Sequence, residues 1–463
     1  MDDFYRYKQE KEQWVTGHSG SSVWELPLTS SAALLGYWVW RNMKAYREMV
    51  AQTTPQSERP TVGAFVLSYL LWGLPTLFFC VGVSWRTALS VIFVLWGLAY
   101  YIRLRPYLAH EKADRPNGSS TSRKAYISGY RAFLMLATCV SILAVDFPIF
   151  PRSYAKVETF GISVMDVGVG SFVFSAGIVA ARHYNPRLGW SFGRELIQSA
   201  KNSWFLVLLG IGRLLSVKGI EYQEHVTEYG VHWNFFFTLS VLPISVTLLR
   251  RISPNPWVNT VILGVGYQCL LSYTNLQQFI LYAPRVDLVS MNREGLFGFF
   301  GYLSLYFMGV AIGQIVFSDS PAPTHRFHKS IQLVGLTVAL LCLFAGVHYG
   351  LGIPISRRLL NISYILCVAM LNVMFLTPFQ IAETLINARI GVSEPIDHDS
   401  NIPWLFNAFN RYSLSAFLVA NILTGVLNMS IKTLYVEDTK AIVILAVYML
   451  VVLLYAALRD VWK

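Results

Sequence analysis

Apolar runs of about 17–25 residues recur along most of this chain, each long enough to cross roughly 30 Å of hydrocarbon. AFLMLATCVSIL (132–143), LTVALLCLFAGV (336–347) and AIVILAVYMLVVLLYAAL (441–458) are three of their cores. Inside a bilayer no water is at hand to bond the peptide groups, so each run must satisfy its own N–H and C=O groups, which a helix does. The pattern predicts an all-α, polytopic integral membrane protein with about 13 transmembrane helices. Their centres fall near Leu35, Leu71, Leu95, Cys139, Phe172, Leu208, Leu239, Val265, Leu305, Leu340, Ala369, Val419 and Leu450. The first and eighth are short and partly polar. A soluble chain of 463 residues would divide into two or three domains joined by polar linkers. None is visible, and residues 1–463 read as one multispan domain.

Composition agrees where it matters. Charged residues make up 14%, against the roughly 25% of soluble domains. A net charge of +11 raises the question of nucleic acid, but the basic residues are scattered over short loops and form no patch. They read instead as topology signals. All five cysteines lie in apolar segments, with no CxxC pair, and are expected to pack rather than bridge.

An odd number of spans puts the termini on opposite sides. Lys and Arg number about 21 on the side holding loops 41–59, 103–124, 182–201 and the C-terminus, and about 14 on the other. The bias predicts a non-cytoplasmic N-terminus (polar segment 1–26), a cytoplasmic C-terminus, and cytoplasmic loops at 104–128 and 381–404. Three polar connections then open on the non-cytoplasmic face: AVDFPIFPRSYAKVETFG (144–161), EYQEHVTEYGVHWN (221–234) and SMNREGLFGFFGY (290–302). They follow the fourth, sixth and eighth spans.

Each connection carries groups suited to chemistry, and each also has a plainer reading. In the first, Asp146 stands at a hydrocarbon edge, where a carboxylate must be paired or face water. Pro148 and Pro151 turn the chain back, which would let Lys156 meet Asp146 and hold it ionised. Such a carboxylate can take a proton from an alcohol; the plainer reading is an interfacial salt bridge. In the second, Glu221, His225, Glu228 and His232 would share one face of a helix, although Gly230 works against a helix there. His225 suits a proton shuttle; Glu224, His232 and Asn234 are polar contacts for a substrate, or simply loop hydrogen bonds. In the third, Asn292 and Arg293 suit an anion, and Asn-Arg-Glu-Gly equally suits a helix start. Arg131, Arg152 and Arg213 could neutralise phosphates; Arg131, Asp166 and Arg213 lie in or near spans and should face the bundle interior. Ser171 and Ser175 have the spacing of a close helix contact. Asn117, Asn361 and Asn428 head N-x-S/T triplets; the first sits in a cytoplasmic loop by this count, the others in or near spans. No metal-binding spacing is present.

The stretches ILAVDFPIFPRSYAKVETFG, MDVGVGSFVFSAGIV, EYQEHVTEYGVHWNFFFTLS and NREGLFGFFGYLS, with LVANILTGVLNMS (418–430), resemble the signature segments of the eukaryotic glucosaminyl-phosphatidylinositol inositol acyltransferases. The resemblance covers most of the chain in order, from the fourth span through the ninth. It implies transfer of a fatty acyl chain, typically palmitoyl, from acyl-CoA to the inositol 2-hydroxyl of glucosaminyl-phosphatidylinositol (GlcN-PI), early in GPI-anchor synthesis. It further implies an endoplasmic reticulum membrane location with lumenal signature loops, acyl-CoA as co-substrate and no cofactor. Asp146 and Lys156 would lie in the active centre. The sequence also admits a lipid or GPI-precursor flippase or transporter, and a non-catalytic scaffold within a lipid-synthesis complex; the oligomeric state is not legible.

Overall fold

The structure, a computed structural model, describes residues 2–53, 57–81, 86–105, 124–185, 191–219, 226–318, 327–391 and 401–462. Helices dominate, and no strand occurs among the described residues. All thirteen expected centres fall within helical segments. Nine of those segments are long and apolar enough to cross a membrane. The other four centres lie in Leu26–Ala51, Arg86–Arg103, Phe192–Gly219 and Pro256–Tyr273. Three of these carry an exposed apolar stripe at helical spacing: Val91, Leu95, Leu98 and Ile102; Trp204, Leu208, Ile211 and Leu215; Val258, Ile262 and Val265. Stripes of that kind suit hydrocarbon and not water.

Two compact units share the chain. One comprises Met1–Gly20, Lys156–Ser318 and Val338–Asn372; the other comprises Ser21–Ala155, Asp319–Thr337 and Val373–Lys463. In the first, helix Val164–Ala180 lies along helix Arg293–Phe317 at glycine-limited distance. A Cβ on Gly309 would sit 2.3 Å from the Phe174 carbonyl oxygen, and one on Gly177 2.3 Å from that of Tyr306. The close contact expected around Ser171 and Ser175 is present. Both serines are buried, and Ser171 accepts a hydrogen bond from Asn372 at 2.8 Å. Helix Pro256–Tyr273 packs on the same central helix, and Phe235–Ile252 packs on Phe192–Gly219. In the second unit, Leu26–Ala51 pairs with Arg86–Arg103, while Trp404–Arg411 bridges Ala125–Ala144 and Asp438–Val461.

Some expectations need correction. The polar connection at 381–404 begins later than expected, because helix Ile362–Ile390 continues to residue 390. Likewise helix Ala125–Ala144 takes the end of the 104–128 connection. Residues 106–123, with Asn117, and 392–400 lie outside the described residues. Cys80, Cys139 and Cys367 are buried as expected, but Cys269 and Cys342 are exposed. They sit on helices Pro256–Tyr273 and His328–Ala345.

Candidate active site and its charge clusters

Helix Ala125–Ala144 stops where the prolines predict. Asp146 and Phe147 donate their N–H groups to Leu143 and Ala144 in tight turns (3.1 and 3.0 Å), and a short 3₁₀ turn follows at Arg152–Tyr154. Arg152 organises this turn by donating to the carbonyls of Val145, Phe147 and Phe150 at 3.1, 3.0 and 2.9 Å. Burial lowers the Arg152 pKa to about 10, opposed by the nearby Asp146 carboxylate. Asp146 is buried, 6% exposed, and its Oδ2 accepts from Asn428 Nδ2 at 2.7 Å. A buried carboxylate outside the helix, fixed by a neutral amide, can receive a proton from a substrate hydroxyl.

Lys156 opens a segment of the other unit. The Lys156 ammonium pairs with Glu228 at 2.5 Å. The strap it begins is pinned by Asp166, which is wholly buried: its Oδ2 accepts from the Ser163 hydroxyl (2.7 Å) and the Val157 N–H (3.1 Å). Asp166 Oδ1 pairs with Arg357 Nε at 2.6 Å. Burial works against the Arg357 charge, but Asp166 and Glu228 outweigh it and hold the guanidinium above its ordinary pKa. Next to Glu228, burial pushes the Tyr229 phenol up to about 12. Gly161 donates to the Ile355 carbonyl and Ser356 donates to that of Thr159, so strap 156–163 and connection 351–361 are stitched together.

In the described part of the second connection, helix Val226–Tyr229 ends where Gly230 takes φ +123°. The helical face expected to run on to His232 therefore ends before it. Glu221, Glu224 and His225 lie outside the described residues. His232 and Trp233 give their backbone N–H groups to Asn292 Oδ1 at 2.8 and 2.9 Å. Asn292 thus spends its side chain on tying the second connection to the third; helix Arg293–Phe317 starts there, as its sequence suggested, without a side-chain cap. Asn234 caps helix Phe235–Ile252 through the N–H groups of Phe236 and Phe237, and donates to the Gly210 carbonyl at 2.9 Å.

Arg293 belongs to a further cluster. Glu294, 1% exposed, is met by Arg285 at 2.6 and 3.1 Å, Arg358 at 2.8 Å and Arg293 at 3.6 Å. Arg131 is half-buried on helix Ala125–Ala144, and Arg213 is exposed on Phe192–Gly219, contrary to the expected inward orientation. Among the described residues, no group of three or more His, Cys, Asp or Glu side chains is placed to hold a metal.

Sequence reasoning missed Asn428, Arg285, Arg357 and Arg358 as parts of these clusters. For the last two a signal existed: SRRL places adjacent cations at the mouth of a span in a chain with only 14% charged residues. Asn428 and Arg285 gave none.

Apolar helices with lipid-compatible faces, ended by buried and mutually paired charges, define a polytopic membrane protein. The chain belongs to the GWT1 family, whose model matches residues 7–458. Its relatives include proteins named GPI-anchored wall transfer protein 1 from three fungi. That of Gibberella zeae is 36% identical over 97% of this chain and 96% of the relative. That of Yarrowia lipolytica is 36% identical over 95% and 94%. That of Aspergillus fumigatus is 37% identical over 96% and 95%.

Proposed function

We propose that this protein is a transferase of GPI-anchor biosynthesis that moves a fatty acyl chain, palmitoyl by preference, from acyl-CoA to the inositol 2-hydroxyl of GlcN-PI. We place it in the endoplasmic reticulum membrane, with its N-terminus lumenal and its C-terminus cytoplasmic. Family membership supports the pathway. The observation that carries the chemistry is Asp146: a buried carboxylate just beyond the end of a span, oriented by Asn428.

In the reaction Asp146 accepts the inositol hydroxyl proton, directly or through His225. The oxygen attacks the thioester carbonyl, a C–O bond forms, the C–S bond breaks, and CoA leaves as the thiol with that proton. Lys156 supplies positive charge to the developing oxyanion. Arg131, Arg152 and Arg213 neutralise phosphates of the donor or the acceptor; Glu224, His232, Asn234, Asn292 and Arg293 line the acceptor's polar end. Leu-rich and aromatic helices hold the acyl tail, each buried methylene contributing about 0.8 kcal/mol.

The test uses purified full-length protein with GlcN-PI and palmitoyl-CoA. The proposal requires a lipid product heavier by one acyl group, with release of CoA. Asp146→Asn and Lys156→Ala should each lower turnover at least 100-fold while remaining folded. Unchanged lipid mass would point to a flippase, and near-normal turnover in both variants would remove these residues from the mechanism.

A further inference from the structure

We infer that Arg358, Arg293 and Arg285 form a binding site for an anionic phosphodiester, and that its occupant is the headgroup phosphate of an inositol lipid. Charge is the first argument. Arg293 and Arg358 are 4% and 8% exposed, and among the described residues both find their carboxylate in Glu294 alone. Even with Arg285 set aside, one carboxylate faces two buried guanidiniums. Arg285 also occupies both oxygens of Glu294, so Arg358 shares Oε1 with it. A buried cation without a full counter-charge is costly unless something else supplies the anion.

Unused donors are the second argument. Arg358 Nε is buried and bonds nothing, and its Nη2 goes to Glu294 and to the carbonyls of Ile280 and Leu281. Arg293 spends Nε and Nη1 on the carbonyls of Ile280 and Ala283, while its Nη2 has no hydrogen-bond partner among the described residues. At least one donor nitrogen on each guanidinium is thus left over, and a phosphate oxygen can accept from each. The third argument is position. The three side chains gather at the N-terminus of helix Arg293–Phe317, where the backbone adds its own partial positive charge. Arg285, with a side chain 22% exposed, is the part open to the outside. The acidic neighbour Asp287 does not fill the site, because its carboxylate caps Ser290 at 2.7 Å.

The identity of the occupant rests on the proposed reaction, whose acceptor is an inositol phospholipid; the anion site itself does not. Full-length protein is placed in phosphatidylcholine nanodiscs with or without one-tenth phosphatidylinositol. Retained lipid is counted by native mass spectrometry after transfer to detergent. Inorganic phosphate and inositol 1-phosphate serve as soluble competitors. Wild type should retain phosphatidylinositol. Arg358→Gln and the milder Arg285→Gln should each lower retention about tenfold, with Arg358→Lys between them and wild type. Displacement by inorganic phosphate alone would support a site for phosphate whatever its source. Displacement by inositol 1-phosphate alone would support a headgroup site. Unchanged retention in variants that melt like wild type overturns the inference. If retention falls but wild type transfers no acyl chain, the site stands and the proposed reaction fails. If acyl transfer proceeds and the KM for GlcN-PI is unmoved in all three variants, the reaction stands and the inferred occupant is wrong.

Discussion

Single side chains divide here between those that hold charge in place and those that hold backbone. Asn428 is of the first kind, since its amide donates to Asp146 at 2.7 Å. A hydrogen bond to a charged group contributes about 1.5–3 kcal/mol, so Asn428→Ala should lower turnover roughly 10- to 100-fold. Comparison of kcat with the melting temperature checks this, because loss of orientation predicts a fall in kcat beyond any fall in stability. The same bond makes Asn428 a poor glycan acceptor, and Asn361, 2% exposed, is committed to the Pro354 carbonyl and the N–H of Tyr364. Lys156→Met, which leaves Glu228 beside Arg357, should barely change stability. The Lys156 side chain is 38% exposed, so solvent screens the pair. Its loss should cost less than about 1 kcal/mol of stability. A larger destabilisation in chemical unfolding would show the pair to be structural.

Among whole elements, the contact between helices Val164–Ala180 and Arg293–Phe317 decides the first unit. Their backbones meet where Gly177 and Gly309 leave no room for a Cβ. Gly309→Val should force the helices apart and destabilise by more than about 3 kcal/mol, the scale of severe overpacking. Gly266→Val, where nothing lies within 4 Å, is the control and should be tolerated. The strap beside these helices depends on the Asp166–Arg357 pair. Asp166→Asn leaves a buried guanidinium short of its counter-charge and should cost about 3–5 kcal/mol. The double variant Asp166→Leu, Arg357→Met should recover much of that loss, since replacing both partners removes the uncompensated charge. Thermal unfolding of the three proteins checks it.

For the molecule as a whole, the prediction concerns sidedness. Connections 145–163, 226–234, 283–292, 351–361 and 431–437 should all be reached from one side of the membrane. Acceptor sites for N-glycans inserted there should be modified in microsomes, and sites inserted at 54–56 or 392–400 should not. Mixed modification would break the span count. The span pattern was legible because twenty apolar residues leave a chain little choice in hydrocarbon, and all thirteen centres indeed lie in helices. Helix ends marked by Pro148 and Gly230 were legible for the same local reason: φ restriction and positive φ act within a few residues. Asp146, Lys156 and Arg293 could be singled out because a charge is conspicuous in an apolar chain.

Their partners could not. Asn428 lies 282 positions from Asp146, Glu228 72 from Lys156, and Arg358 64 from Glu294. By itself, then, the sequence determined the class of protein, the placement of its helices and which charges stand out in an apolar chain, because each depends on local composition and backbone constraint. Only the tertiary structure decided which charge meets which. It left Glu228 on Lys156, Asn428 on Asp146 and three arginines on one carboxylate, because ion pairing falls off with distance in space, and distance along the chain does not set it.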